Sequence, residues 1–282
     1  PARLHLSDLD AAMIGAFLEH LETERGNAVS TRNARLAAVH SLFGYAAVHA
    51  PEHAEVISRV LAIPPKRCDR AIVSYLTATE IDALLAAPNR ATWHGRRDHA
   101  LLVLTCQSGL RVSELIGLDC QDAHPGAGGG HVRCHGKGRK NRATPLTSRT
   151  AKVLRVWLAE RDGHPRDPLF PTRAGGRLSR DAIARLVAKH ATAAATACPS
   201  ITAKNVTPHT LRHSAAMALL HAGIDTSVIA LWMGHESPES TQAYLHADMT
   251  IKQRALARVT PPDTKPGRYR APDALLAFLD TL

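Results

Sequence analysis

The sequence predicts a mainly helical fold that contains one small antiparallel β-sheet. Apolar residues recur at helical spacing along most of the chain, and residues that favour helix N-termini precede several of these segments. Two short strand-like segments, residues 131–135 and 141–146, flank the run GKGRK at residues 136–140, which predicts a hairpin with glycines at its turn. Hydrophobic residues make up 45% of the 282 residues but aromatic ones only 4%, so we expect an aliphatic core.

The N-terminal part, residues 1–62, is predicted to be helical because it shows no alternating apolar pattern. Ser7 or Asp8 can cap a first helix, and Ser30 or Thr31 can cap a second. Apolar residues follow at helical spacing in the second helix: Leu36, Val39 and Phe43.

The rest of the chain alternates predicted helices with loops. Thr77 begins a capping signal, and Gly109 interrupts an apolar run so that two helices are expected around it. Glycine-rich residues 123–130 are predicted to be a flexible loop. The predicted helices span residues 77–87, 98–118 with the break at Gly109, 147–160, 179–197, 209–222 and 226–233.

The chain is basic, with a formal net charge of +10 and a pI of about 9.8. Such a charge favours a polyanionic partner, either nucleic acid or an anionic membrane surface. The excess is uneven, because residues 1–65 carry a net charge of −2 and the remaining residues +12. The sign changes at a pair of prolines that would stop a helix, so residues 63–76 are predicted to be a linker.

The five cysteines are scattered and include no CxxC pair, which favours a reducing cytoplasm and argues against a disulfide framework. His209 and His213 have the spacing of a helical zinc motif, but Thr210 occupies the position where that motif has glutamate. The sequence contains no cluster of Asp and Glu residues of the kind that a two-metal nuclease uses, and no apolar run is long enough to span a bilayer. We therefore expect a cytoplasmic protein without metal, cofactor or membrane partner.

Four residues towards the C-terminal end carry groups that suit a phosphodiester. His209 and Arg212 lie three residues apart and would share one face of a helix. His235 follows a glycine turn, and Tyr244 lies about two turns into a helix that residues 237–238 would begin. Arginine offers a rigid fork of donors to phosphate oxygens, histidine can move a proton, and an activated tyrosine hydroxyl can act as a nucleophile.

The segments HTLRH and LWMGHES, followed by Tyr244, resemble the active-site half of the tyrosine recombinases, a family that includes the phage integrases. GLRVSELIGL resembles the segment with the first catalytic arginine of that family, here Arg111, and GKGRKNRATPL resembles its catalytic lysine hairpin, here Lys137. From spacing alone, Arg111 would be assigned a structural ion pair with Glu114; the resemblance favours catalysis, with Glu114 as a brace. Lys140 is the alternative to Lys137, which lies between the two glycines.

The resemblance implies a helical core-binding domain, here residues 1–62 and shorter than expected, joined to a mixed α/β catalytic domain at residues 77–261. Residues 262–282 would form a tail whose short helix docks into a neighbouring subunit. Arg32 and Arg35 lie outside the apolar stripe of their helix, so they are either solvated or in contact with DNA. Contacts to DNA are also expected from the basic hairpin residues Arg139, Lys140 and Arg142.

The resemblance also implies a mechanism that needs no metal and no ATP, because arginines offset the charge of the phosphoryl transition state. The substrate would be double-stranded DNA with an inverted-repeat core site, bound by a homo-oligomer, a tetramer. The implied roles are phosphate binding by Arg111 and Arg212, attack by Tyr244 to form a 3′-phosphotyrosine, proton removal by His209, protonation of the leaving group by Lys137 and a phosphate hydrogen bond from His235.

The ending HADMTIKQRALARVTPP resembles the integrases of mobile elements, which predicts a role in integration or transposition. Three alternatives stay open at this point. They are Xer-type resolution of chromosome or plasmid dimers, a type IB topoisomerase with the same covalent chemistry, and a DNA-binding regulator without catalysis.

Overall fold

The structure is a computed structural model of the whole chain. The residues that it describes are 5–67, 73–126, 129–135 and 141–234. The chain divides into two compact units, residues 1–71 and residues 72–282. No helix among the described residues is long and apolar enough to cross a membrane.

The first unit contains three helices, α1 (Ala11–Thr23), α2 (Val29–His49) and α3 (Ala54–Leu61). Their apolar faces form one core in which Leu18, Phe43 and Val60 are almost fully buried. Two predicted caps are wrong, because the side chain of Asp10 accepts the capping hydrogen bond of α1 and α2 begins without a side-chain cap. The chain thus enters both helices a few residues away from the predicted positions.

Arg32 is buried in this first unit, so the prediction that it lies on the surface and contacts DNA is wrong. Its Nη1 donates to the Asn33 side chain at 3.1 Å and to the Pro64 carbonyl at 3.3 Å. Asn33 also exchanges two hydrogen bonds with the backbone of Lys66, at 2.8 and 3.0 Å. The first residues of the predicted linker are therefore tied to α2, whereas Arg35 on the same helix is exposed.

The second unit contains the sheet and seven described helices. The helices are α4 (Ala78–Ala86), α5 (Trp93–Ser108), α6 (Val112–Gly117), α7 (Ser148–Arg161), α8 (Arg180–Ala194), α9 (Pro208–His221) and α10 (Thr226–Met233). Helix α5 lies at the centre, since Leu101, Leu102 and Leu104 are fully buried. The predicted break at Gly109 is confirmed, because this residue ends α5 in the left-handed region with φ +63°.

Three antiparallel strands, β1 (Ala123–Gly126), β2 (Gly129–His135) and β3 (Asn141–Pro145), form a sheet in the order β1-β2-β3. The pairing of the two predicted strands is confirmed, with Val132 opposite Thr144 and Cys134 opposite Arg142, and the predicted turn between them, residues 136–140, lies outside the described residues. The prediction of a flexible loop is wrong for residues 123–126, which pair with β2 from Ala123↔Val132 to Gly126↔Gly129. Backbone pairing to a neighbouring strand outweighs the weak strand propensity of glycine and proline here.

A buried polar cluster joins α5 to α8. Asp98 accepts hydrogen bonds from His190 Nε2 at 2.9 Å and from Arg97 Nε and Nη2 at 3.0 and 2.7 Å. Burial by itself would raise the pKa of Asp98, but the hydrogen bonds from His190 and Arg97 hold that pKa below its ordinary value. The paired carboxylate thus fixes the position of α8, whose first residue is Arg180.

Candidate active site

Helices α6, α8 and α9 begin around one cleft of about 270 Å³. The residues that line the cleft are Leu110, Arg111, Val112, Ser113, Arg180, Pro208, His209 and Arg212. Three residues predicted to act in catalysis, Arg111, His209 and Arg212, therefore lie at the same opening. Helix N-termini carry partial positive charge, so the cleft combines helix dipoles with guanidinium groups and suits an anion.

Arg111 owes its position to the turn after α5. Gly109 reverses the chain, and Arg111 then adopts an extended conformation as the N-terminal cap residue of α6. Glu114 accepts from the Arg111 backbone N–H at 2.7 Å and from its Nη1 at 3.2 Å, and Nη2 donates to the Gly234 carbonyl at 2.6 Å. The side chain still keeps 37% of its surface exposed. The ion pair with Glu114 and access to the cleft therefore occur together.

Arg212 lies on α9, which starts with a Thr207 cap and Pro208 in its first turn. Only 4% of Arg212 is exposed. Its Nη1 donates to the Gly109 carbonyl at 2.6 Å and its Nη2 to the Met233 carbonyl at 2.7 Å. This buried guanidinium joins the turn before Arg111 to the end of α10.

The C-terminus of α10 presents three consecutive carbonyls to arginine side chains. Each carbonyl receives a different arginine: Trp232 from Arg142, Met233 from Arg212 and Gly234 from Arg111. The C-terminal end of a helix carries partial negative charge, which favours cations at these oxygens. Gly234 ends α10 in the left-handed region with φ +64°, a conformation that glycine adopts at little cost.

Arg142 was predicted to contact DNA, but it points into the protein. Its partner across the sheet is Cys134, and Cys134 and Thr144 are both buried, so this face of the hairpin is the inner one. Arg142 Nη2 donates to Glu114 Oε2 at 2.7 Å, and only 16% of its side chain is exposed. The prediction that Arg142 contacts DNA is therefore wrong, because the register of β3 turns its guanidinium towards Glu114.

His209 lies in the first turn of α9 on the exposed side of the cleft. Partial burial lowers the pKa of His209, and the charges of Arg212 and Arg111 lower it further. The imidazole is therefore neutral at neutral pH and can accept a proton. His213 lies beside it with 4.3 Å between ring centroids, but no group of three metal-ligating side chains occurs among the described residues.

Five predicted functional residues lie outside the described residues: Lys137, Arg139, Lys140, His235 and Tyr244. The prediction of a C-terminal helix for subunit docking also falls outside them. Gly234, the last described residue, directly precedes His235 and accepts a hydrogen bond from Arg111.

The sequence interpretation missed Arg180, which lines the cleft from the first position of α8. The cap formed by Ser179 predicted the start of that helix, but nothing in the local sequence related it to Arg111. A basic residue directly after a helix cap is the signal that could have drawn attention to this position.

The model of the phage integrase family matches residues 74–250 of the chain. The chain belongs to the phage integrase family of tyrosine recombinases. It is 50% identical over 282 residues to a Sinorhizobium fredii protein named as integrase/recombinase y4rC, covering all of this chain and 85% of the relative. It is 33% identical over 246 residues to the tyrosine recombinase XerC of Pelobacter propionicus, covering 86% of this chain and 76% of the relative.

The recombinase is also similar in fold to a solved structure of the XerH site-specific recombinase bound to its palindromic difH substrate after cleavage. The TM-score is 0.70 at 22% sequence identity, over 90% of this chain and 73% of that one. The predicted fold class, mainly helical with a small antiparallel sheet, is therefore confirmed. The chain is a site-specific tyrosine recombinase.

Proposed function

We propose that this recombinase cuts and rejoins DNA strands through a 3′-phosphotyrosine intermediate in the integration or transposition of a mobile element. The observation that carries the proposal is the convergence of Arg111, His209 and Arg212 on one cleft at the N-termini of α8 and α9. Two guanidiniums can stabilise the charge of a phosphate undergoing transfer to tyrosine, and a neutral imidazole can accept the phenolic proton.

Arg111 and Arg212 bind the non-bridging oxygens of the scissile phosphate and offset the negative charge that grows in the transition state. Both guanidiniums are held on backbone carbonyls before any substrate enters, so little reorganisation accompanies the reaction. Glu114 braces Arg111 from the buried side. A cationic site prepared in this way explains how the chemistry proceeds without a metal ion.

The covalent steps follow from the sequence motifs and from the chemistry of phosphodiesters. Tyr244 attacks phosphorus as its phenolic proton passes to His209; help is needed because an unperturbed phenol has a pKa near 10. The bond from phosphorus to the 5′ oxygen breaks, Lys137 gives that oxygen a proton, and His235 donates a hydrogen bond to the phosphate. A second 5′ hydroxyl reverses the step, so the bond energy is retained and no ATP is consumed.

The proposed partners are double-stranded DNA with an inverted-repeat core site and further copies of the recombinase, four in the complete assembly. Residues 1–62 grip one side of the duplex with Arg35 among the contacts, and residues 77–261 carry the chemistry. Arg139 and Lys140 add contacts from the hairpin, and residues 262–282 dock into the next subunit. The basic excess beyond residue 65 supports this division of roles.

A role in a mobile element is supported by the ending HADMTIKQRALARVTPP and by the relative named integrase/recombinase, which matches the whole chain. Resolution of chromosome or plasmid dimers by a Xer-type reaction is the second candidate, and the XerC relative at 33% identity favours it. Mapping covalent attachment across the DNA that flanks the gene separates the two roles. Attachment at the ends of a mobile segment supports integration, and attachment at a single chromosomal or plasmid site supports dimer resolution.

The mapped site, nicked beside the cleavage position, tests the chemistry directly. The small 5′-hydroxyl fragment diffuses away after cleavage, so the wild-type protein should accumulate as a denaturation-resistant adduct with DNA. Tyr244→Phe should lose the adduct and keep DNA binding. Adduct formation by Tyr244→Phe would assign the nucleophile elsewhere, and DNA binding without any wild-type adduct would favour a regulator without catalysis.

A further inference from the structure

We propose that Arg142 is a positioning residue for DNA cleavage, which keeps the guanidinium of Arg111 available to the scissile phosphate by sharing the charge of Glu114. The inference rests on the proposed function, because it concerns the same phosphate site. It also assigns a role to a residue that the sequence pattern had placed on DNA.

The side chain of Arg142 bridges two separate elements of the fold. One nitrogen of its planar fork donates to Glu114 on α6, and the other donates to the Trp232 carbonyl at the end of α10. Among the described residues the buried Nε of Arg142 has no hydrogen-bond partner, so the two contacts of its other nitrogens determine its position there. Strand β3 thereby fixes the N-terminus of α6 against the C-terminus of α10.

The balance of charge around Glu114 also supports this role of Arg142. Glu114 is a buried carboxylate with 3% of its side chain exposed, and it contacts both Arg111 and Arg142. With Arg111 alone, the pair would be electrically neutral and would attract an anion weakly. With Arg142 added, the group of two arginines and one glutamate carries a net charge of +1, at the point where Arg111 enters the cleft.

Close packing of Arg142 against Gly234 also supports this role. A Cβ atom at this position would lie 3.1 Å from Arg142 Nε and 3.3 Å from its Cδ, tighter than ordinary van der Waals contact. The backbone also needs φ +64° there. The end of α10 can therefore approach the Arg142 guanidinium closely because residue 234 has no side chain, and the same residue offers its carbonyl to Arg111.

The test compares single-turnover cleavage of two nicked substrates by folded protein. One substrate carries the normal phosphate, and the other carries an uncharged methylphosphonate at the cleavage position. Arg142→Gln should cleave the phosphate roughly 10²-fold more slowly than wild type, as expected for a misplaced catalytic group. On the methylphosphonate, the cleavage rate of Arg142→Gln should approach the wild-type rate on the same substrate, because an uncharged centre needs no second positive charge. The same is expected of Arg111→Gln.

Arg177→Gln is the matched control, because Arg177 holds the other end of α6 through Asp119 at 2.6 Å and the Ile116 carbonyl at 2.9 Å. It should cleave both substrates at the wild-type rate. Arg142→Lys, which keeps the charge, should cleave the phosphate faster than Arg142→Gln. If Arg142→Gln does not fold, the pair Glu114→Gln with Arg142→Gln removes both charges, leaves none buried without its partner and keeps the net charge of +1 on Arg111. It should therefore cleave the phosphate faster than Arg111→Gln, and a rate as low as that of Arg111→Gln would overturn the inference.

An equal deficit of Arg142→Gln on both substrates would assign Arg142 a purely structural role and overturn the inference. Cleavage of the phosphate substrate by Arg142→Gln at the wild-type rate would also overturn the inference. If the wild-type protein itself forms no adduct with the phosphate substrate, the proposed function fails, and the inference fails with it. Adduct formation by wild type together with an equal deficit would refute the inference alone.

Discussion

Arg212→Gln separates the two tasks of the buried arginine, because each task has its own magnitude. Arg212 donates to the carbonyls of Gly109 and Met233 at 2.6 and 2.7 Å. A hydrogen bond to a charged group contributes about 1.5–3 kcal/mol, so the two together contribute about 3–6 kcal/mol. The shorter glutamine amide can restore at most one of them, and we expect the free energy of unfolding to fall by about 2–4 kcal/mol.

The loss of cleavage should be larger than the loss of stability explains. Domains are commonly stable by about 5–15 kcal/mol, so most of the Arg212→Gln protein should stay folded at 25 °C. Removing one donor from a charged transition state lowers the rate by about 10²–10³-fold. Arg212→Lys keeps the charge but loses the planar fork, so its rate should lie between those of wild type and Arg212→Gln.

Two measurements decide this prediction. Urea denaturation gives the change in stability, and single-turnover cleavage of the nicked site, well below the unfolding midpoint, gives the change in rate. Arg96→Gln is the control, because Arg96 binds Glu160 and the Arg90 carbonyl away from the cleft. Cleavage by Arg212→Gln at the rate of this control would refute the assignment of Arg212 to the phosphate.

Three further predictions concern pH and packing. Burial, Arg212 and Arg111 lower the pKa of His209, so the cleavage rate should fall with decreasing pH through a midpoint below the ordinary histidine pKa of 6.5. A midpoint above 6.5, or an unchanged pH profile in His209→Gln, would contradict the role of His209 as a base. Burial raises the pKa of Glu80, but hydrogen bonds from Lys204 and Ser200 lower it to about 2 overall. The ionised carboxylate should therefore contribute about 3 kcal/mol of stability above pH 4.5, and this contribution should be lost as the pH falls towards 2. Acid titration of folding should therefore be shallower in Glu80→Gln, and an unchanged curve would contradict the assignment. Gly109→Ala should lower stability by at least about 1–2 kcal/mol in urea denaturation, because residue 109 has φ +63° and a Cβ would lie 2.7 Å from the Met233 side chain; a wild-type midpoint would contradict this.

The helices could be predicted from local signals because those signals are local in the structure too. Thr77 caps α4 with Glu80 at its third position, Gly109 ends α5, and Thr226 begins α10 as expected. Strand β1 was not predicted, because its pairing with β2 is a contact between backbones that proline and glycine side chains do not signal. Residues with strong local preferences were therefore predicted, and those held by a neighbouring element were not.

The site was predicted in part for the same reason. Motif resemblance named Arg111, His209 and Arg212, and the structure brings them to one cleft. The inward direction of Arg142 follows from the register of β3 against β2, and Arg180 reaches the cleft through the anchoring of α8 on α5. Neither relationship is contained in a short segment of sequence. Arg32 shows the converse, because an arginine outside the apolar stripe is buried by contacts that come from residues 64–66.

A structure of the Tyr244→Phe variant bound to its mapped DNA site shows whether the cleft holds the scissile phosphate. We predict that one backbone phosphate lies within hydrogen-bonding distance of both Arg111 and Arg212, with His209 beside the position of the missing hydroxyl. A bound duplex whose phosphates contact only one of these arginines, or neither, would contradict the claim that the cleft is the site of strand cleavage.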